Sequence, residues 1–316
     1  MRYEEVSLRA IDFRDERFRI SRDAGPEGLI RSIRKAGLIS PPVVCRRGRR
    51  YVLVTGWKRA LACRAQGFGK LPVLVTEETN ELRLLLLAFT ENLATRELSL
   101  VEKANILDKL GRFGMSANKL VREYLPQLGL PATTGHLRLM LSLAWADRSV
   151  LDFVSEKSPS PAVVKALLGF SPGDRRFLLP LLRPLGQNKQ RQLLEDLRDV
   201  CRRDEIPVRS LLRRKEFRRI LGSSRLSMLQ KAEATRQWLK KMRSPALSAR
   251  EEAFRLTLHK LKWPRGIAVL PSPFFEEDHV TVSFRIGSRE EFRAALDKLR
   301  DVAGREELDA LFREKG

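Results

Sequence analysis

Two short stretches of this 316-residue chain bring together the residue types that handle phosphate and metal. The first is Thr55-Gly56-Trp57-Lys58-Arg59. A glycine lets backbone approach an anion, a helix that starts just after it aims free N–H groups at the same place, and Lys58 and Arg59 add charge. The second is Glu91-Asn92, with Arg96 shortly after. A carboxylate beside a carboxamide offers hard oxygens to Mg²⁺ on a nucleotide triphosphate, and Arg96 could take a further phosphate. On these residues alone the plainer readings stay open: a glycine turn before an ordinary basic surface helix, and solvated polar groups at a helix C-terminus.

The elements around these stretches read as an alternation of short strands and helices over residues 1–80. Pro26 to Ala36 patterns as a helix, with Leu29, Ile30, Ile33 and Ala36 on one face and Gly37 as its C-cap. Pro42 to Cys45 and Tyr51 to Val54 form strands about a turn at Arg46 to Arg49, and Leu71 to Val75 is another strand. Between them, Trp57 to Gln66 is a helix closed by Gly67. From Glu81 the pattern turns helical, with Leu84, Leu87, Ala88 and Glu91 sharing a face, and Glu91-Asn92 ends that helix. Residues 101–220 read as all-α, broken at Gly111, Gly114, Pro126, Pro131, Pro159, Pro161, Pro172 and Pro207. Two of these segments, Ser116 to Leu125 and Thr133 to Leu143, flank a turn at Pro126 to Pro131, the outline of a helix-turn-helix.

Charge narrows the partners. The chain carries 61 Lys and Arg against 39 Asp and Glu, a formal +22. Such a surface expects a polyanion, nucleic acid before an anionic membrane. The excess is densest in residues 201–243, where Arg213, Arg214, Lys215, Arg218 and Arg219 cluster, while residues 244–316 balance. Arginine matches phosphate oxygens bidentately, so Arg213 and Arg214 are candidate DNA-phosphate contacts; a solvated helix face is the other reading. No apolar run approaches a membrane span, and the N-terminus lacks a signal-peptide core. Cys45, Cys63 and Cys201 are odd in number and far apart, which argues against a disulfide scaffold and fits a reducing cytoplasm.

Three boxes then resemble the ParB family in order: Gly37-Leu38-Ile39-Ser40-Pro41-Pro42-Val43-Val44, Thr55-Gly56-Trp57-Lys58-Arg59-Ala60-Leu61-Ala62, and Glu91-Asn92-Leu93-Ala94-Thr95-Arg96-Glu97-Leu98-Ser99-Leu100-Val101-Glu102-Lys103-Ala104. The family patterns are GLIQPxVV, GERRxxA and ENxQRxxLxPxEEA. The resemblance spans roughly residues 1–220. It implies a dimeric DNA-segregation protein that binds a palindromic duplex and uses CTP with Mg²⁺ to close into a sliding clamp. By the same resemblance Gly37, Leu38, Ser40 and Pro41 wall a cytosine pocket, and Thr55, Gly56, Lys58 and Arg59 cradle the triphosphate. Glu91 and Asn92 serve Mg²⁺, with Glu91 the candidate hydrolytic residue, and Arg96 completes the cofactor set. The chain departs from the patterns at Ser40, Trp57, Lys58 and Thr95. Trp57 replaces a carboxylate and Lys58 loses the guanidinium fork, so nucleotide binding is expected to be altered and hydrolysis slow or absent, a weak CTPase at most.

For DNA, Ser116 and Lys119 on the first helix and Thr133, Thr134, His136 and Arg138 at the start of the second form the contact set, with Arg138 the leading base reader. Ser160 to Leu167 resembles the family stretch SxGHARAL; Val163 stands for its His, and Lys165 is a candidate phosphate contact. At the tail, Ile267 to Leu270 and the alternating Val280, Val282, Phe284 and Ile286 pattern as strands. The helix Glu290 to Ala303 turns Phe292, Ala295, Leu296, Leu299 and Val302 inward. So small a β-β-α unit has little core and is expected to dimerise.

The fold expected is therefore α+β. It comprises a mixed α/β nucleotide-binding domain (1–100), an all-α helix-turn-helix domain (101–222), a basic helical linker (223–250) and a β-β-α dimerisation domain (251–316). The resemblance further implies a cytoplasmic, nucleoid-associated homodimer partnered by a ParA-type ATPase, with no membrane role. A nucleotide-independent transcriptional regulator on the same scaffold is the alternative, favoured by Trp57. A sulfiredoxin-like reductase lacks its cysteine at Trp57, and a nuclease lacks clustered metal ligands, His136, His259 and His279 being scattered.

Overall fold

Short apolar runs build the sheet that carries the first site. In the computed structural model, which describes residues 1–21, 27–272, 275 and 279–312, β1 (Arg2–Ser7), β2 (Val43–Arg47), β3 (Arg50–Leu53) and β4 (Lys70–Thr76) form one sheet ordered β1-β4-β2-β3. β2 and β3 make an antiparallel hairpin, β2 runs parallel to β4, and β1 is antiparallel to β4. Val44, Leu53, Leu71 and Val73 are buried on the sheet, and Ile33 of α1 (Glu27–Ala36) and Ala60 and Cys63 of α2 (Trp57–Ala65) join that cluster. Each fully buried aliphatic side chain stabilises by about 1.5–3 kcal/mol. The predicted helix face of α1 holds at Ile33, but Ala36 is exposed, and Pro26 lies outside the described residues.

The chain divides into two compact units, Met1–Arg183 and Pro184–Gly316. After β4 the first unit is helical. α3 (Glu81–Thr95) starts at an Asn80 cap and buries Leu84, Leu85, Ala88 and Phe89, so its inward face is rotated from the predicted one. It also runs past Glu91-Asn92 to Thr95, placing that pair within the helix. α4 (Leu100–Arg112) opens on a capping box in which Ser99 and Glu102 satisfy each other's backbone N–H groups. It passes straight through Gly111, which the sequence marks as a break. The burial of Val101, Ala104, Ile106, Leu107 and Leu110 outweighs the ~1 kcal/mol cost of one helical glycine.

Residues 117–127 form the next helical stretch, α-helical at Ala117–Lys119, π-helical at Leu120–Tyr124 and α-helical again at Leu125–Gln127. Pro126 therefore sits inside the helix rather than in the turn. Its ring would crowd the carbonyl of residue 122 in a regular helix, and the wider π turn relieves that clash. The following helix is Thr134–Ala144, capped by Thr133, with Leu137, Met140, Leu143 and Ala144 inward. Pro161 and Pro172 open the helices Pro161–Leu168 and Pro172–Leu182, where a missing N–H costs nothing.

In the second unit five helices lead to β5 (Ile267–Pro271) and β6 (Val280–Phe284), an antiparallel pair, and the helix Arg289–Ala303. Of the face predicted to be buried here, Val302 is buried and Val280, Phe284, Ala295 and Leu299 are partly so, but the rest is exposed. Val282 is 39% and Ile286 51% exposed, as are Phe292 at 41% and Leu296 at 46%. A two-stranded sheet has too few neighbours among the described residues to cover both of its faces. No described helix is long and apolar enough to cross a membrane.

Candidate functional site

The two chemical stretches of the sequence meet in space. A cleft of about 460 Å³ is lined by Ser40, Thr55, Gly56, Trp57, Lys58 and Arg59 on one side and by Glu91, Asn92, Thr95 and Arg96 on the other. Its remaining wall includes Phe18, Ile20 and Ser21. That volume falls in the ~300–1,000 Å³ range of small-molecule sites.

Gly56 sets the turn from which α2 starts at the cleft. It holds φ +73° as the N-cap of α2, and no side chain caps the helix. A Cβ there would stand 2.8 Å from Pro42 Cβ and 2.9 Å from its Cα. Only glycine combines that left-handed backbone with that proximity. The uncapped N–H groups of α2 thus open at the cleft, beside Lys58, whose ammonium has no partner among the described residues. Thr55 is buried, and its hydroxyl accepts from the Val43 N–H at 3.3 Å, fastening the turn to β2.

The arginines are already engaged. Arg59 donates to the Ser40 carbonyl at 3.0 Å and to Glu91 Oε1, with which it forms an ion pair. Arg96 donates to Asn92 Oδ1 at 3.0 Å, to Ser21 Oγ at 2.9 Å and to both oxygens of Glu102, at 2.8 and 2.9 Å. Asn92 in turn gives its amide N–H to the Ala88 carbonyl. Burial pushes the Glu102 carboxyl up, but hydrogen bonds from Arg96, Ser21 and the Ser99 N–H outweigh it, and its pKa is lowered to about 2. Mg²⁺ is the ion the third box implies, and its donor set does not fit it here. One oxygen of Glu91, Oε1, and Asn92 Oδ1 each accept from a guanidinium group, and Trp57 offers no oxygen. Among the described residues no three His, Cys, Asp or Glu side chains converge on a metal position.

Of the residues expected to wall a base pocket, Ser40 alone lines the cleft. Gly37, also at φ +73°, ends α1, Leu38 packs against the sheet core, and Pro41 is not part of the lining. Trp57 is 6% exposed, edge-on to Phe13 and beneath the Arg19 guanidinium. Its indole Nε1 has no hydrogen-bond partner among the described residues. Ser21 and Glu102 escape the sequence reading as site residues, although the Ser99-x-x-Glu102 capping signature was visible. What was not visible is the 81-residue separation across which Ser21 Oγ donates to Glu102. α4 also grips the loop that walls the cleft: Asn105 donates to the Ile20 carbonyl, and Lys109 to those of Arg17 and Arg19.

The helix-turn-helix residues separate by exposure. Thr134, Arg138 and Lys165 are exposed, and neither Arg138 nor Lys165 has a partner among the described residues. Ser116 and Thr133 act as N-caps, accepting from the N–H groups of Lys119 and His136. His136 is half-buried, its Nδ1 3.1 Å from Thr133 Oγ1, and so faces its own cap. Lys119 lies 3.8 Å from Glu123. In the second unit Arg213 is exposed and unpaired among the described residues, whereas Arg214 pairs with Asp204 at 3.5 Å.

These features define a class: a mixed-sheet domain with a cationic cleft at a glycine turn, followed by helices. Residues 4–93 match the family model described as ParB N-terminal domain, so this stretch is similar to that family. A chromosome-partitioning protein Spo0J from Thermus thermophilus is 32% identical over 141 residues, 38% of this chain and 52% of that protein. A probable chromosome-partitioning protein ParB from Campylobacter jejuni is 27% identical over 152 residues, 48% of this chain and 52% of that protein. The matched stretch thus spans about half the length of these relatives. Among solved structures, a C-terminally truncated ParB from Caulobacter crescentus aligns twice. Its complex with CTP-γ-S shares 20% identity, covers 57% of this chain and 97% of that one, and has a TM-score of 0.27. Its complex with the centromeric parS site shares 16%, covers 61% and 98%, and has a TM-score of 0.36.

Proposed function

We propose that the chain is a sequence-specific DNA-binding partition protein whose N-terminal cleft holds the polyphosphate of CTP. The carrying observation is the convergence of Gly56, Lys58 and Arg59 with Glu91, Asn92 and Arg96, distant in sequence, on one cleft. When bound, the nucleotide supplies a polyanion that bridges α2 and α3. The residues of the chain receive it: the α2 N–H groups and Lys58 meet phosphate directly, and Arg59 exchanges Glu91 for phosphate oxygen. Turnover is not the main output in this reading, because Trp57 stands where the family pattern has a carboxylate beside the triphosphate.

Arg138 and Thr134 read bases, Ser116, Lys119, Thr133 and Lys165 position the duplex, and Arg213 and Arg214 add phosphate contacts. His136 serves the cap more than the groove. Two copies associate through the uncovered apolar face of Val282, Ile286, Phe292 and Leu296 in the second unit, matching a palindromic site. In this reading the protein works at the nucleoid in the cytoplasm alongside a ParA-type ATPase. Titrating the purified chain with labelled CTP, with and without a palindromic duplex, tests it. Saturable CTP binding that the duplex changes is expected. A chain that ignores both CTP and duplex DNA at moderate salt refutes it.

A further inference from the structure

We infer that this cleft takes polyphosphate without a divalent cation, its guanidinium and ammonium groups supplying the whole of the charge neutralisation. The inference rests on the nucleotide reading above and departs from the metal that the third box implies. Its ground is the state of the donors. Mg²⁺ on a polyphosphate keeps several waters and takes only one or two protein oxygens beside the phosphates, so the state of those few donors decides. Glu91 accepts from Arg59 through one oxygen, Oε1, and the single oxygen of the Asn92 side chain accepts from Arg96 at 3.0 Å. The other carboxylate reached by Arg96, Glu102, is 5% exposed and closes a capping box as well. Position 57, at the mouth of α2, carries an indole packed between Phe13 and Arg19 instead of an oxygen ligand.

Charge argues the same way. Lys58, Arg59 and Arg96 line the cleft, with Glu91 the only carboxylate in its wall among the described residues. A divalent cation taking Glu91 would release Arg59 and then share the cleft with three like charges. A polyphosphate taking Arg59 releases Glu91 toward solvent and meets three opposite charges, together with the open N-terminus of α2. Glu91 is on this account a stand-in that neutralises Arg59 until phosphate replaces it, not a metal ligand.

Calorimetric titration of the full chain with tripolyphosphate and with CTP, each in EDTA and in excess MgCl₂, tests this. The expected result is that both bind in EDTA and that Mg²⁺ changes neither affinity by more than about twofold. Glu91→Gln should then bind tripolyphosphate severalfold more tightly, since Arg59 is freed; a metal ligand would instead lose binding in MgCl₂. If Glu91→Gln does not fold, the wild-type comparison decides by itself. Binding seen only with Mg²⁺ overturns the inference and leaves the CTP reading standing. Tripolyphosphate bound in EDTA with CTP no tighter upholds the inference and removes CTP. No binding of either, with or without Mg²⁺, overturns both.

Discussion

At the residue scale, the site depends on one backbone conformation and two carboxylate–arginine pairs. Gly56→Ala places a Cβ against Pro42 in a left-handed conformation, which by itself costs about 1–2 kcal/mol. A lower melting temperature and loss of CTP binding are expected; a variant that melts and binds as the parent does would show that the turn is not the cradle. Glu102 gives a pH signature. Its pKa falls from 4.5 unfolded to about 2 folded, so its contribution is fully present above pH 4.5 and is lost as pH falls toward 2. Glu102→Gln should destabilise at pH 7 by roughly 1.5–3 kcal/mol and converge on the parent near pH 2 in acid-unfolding curves. A constant difference at every pH would contradict that. The residue types of this site were legible because glycine, lysine, arginine and Glu-Asn stand in ordered boxes. The Ser21–Glu102–Arg96 contacts were not, since a pattern along the chain does not report which hydroxyl a fold brings to a carboxylate.

At the scale of elements, α4 holds the cleft loop through Asn105 and Lys109 and packs on the helix Thr134–Ala144. That second helix presents Arg138 outward on a buried stripe of Leu137, Met140 and Leu143. Arg138→Ala should cost about 1–3 kcal/mol in site binding and relax preference at one base pair, whereas Lys165→Ala should weaken all duplexes alike. Binding arrays over single-base variants distinguish the two, and a uniform loss for Arg138→Ala would remove it as a base reader. Most helices and three of the four N-terminal strands follow from periodicity and punctuation. β1 does not, because RYEEVS is an edge strand with only Val6 inward, and its pairing to β4 is a tertiary event. Gly111 misleads because the packing of α4 outweighs its local cost, and Pro126 because the π turn before it makes room for its ring.

Across the whole molecule, charge and an uncovered apolar face set the partners. With a net charge of +22, the proposed duplex binding is expected to be steeply salt-dependent. The alternation in β6 was read correctly as apolar, but alternation cannot say whether the cover comes from the same chain or another. Paired substitutions Phe292→Asp and Leu296→Asp should convert dimers to monomers in sedimentation velocity and weaken palindrome binding; an unchanged dimer would place the interface elsewhere. The central claim, that sequence-distant boxes embrace one nucleotide, is tested most directly by hydrogen–deuterium exchange on the full chain with and without CTP. Slowed exchange is predicted at residues 55–60 and 91–96 together, and protection of one stretch without the other, or of neither, would contradict it.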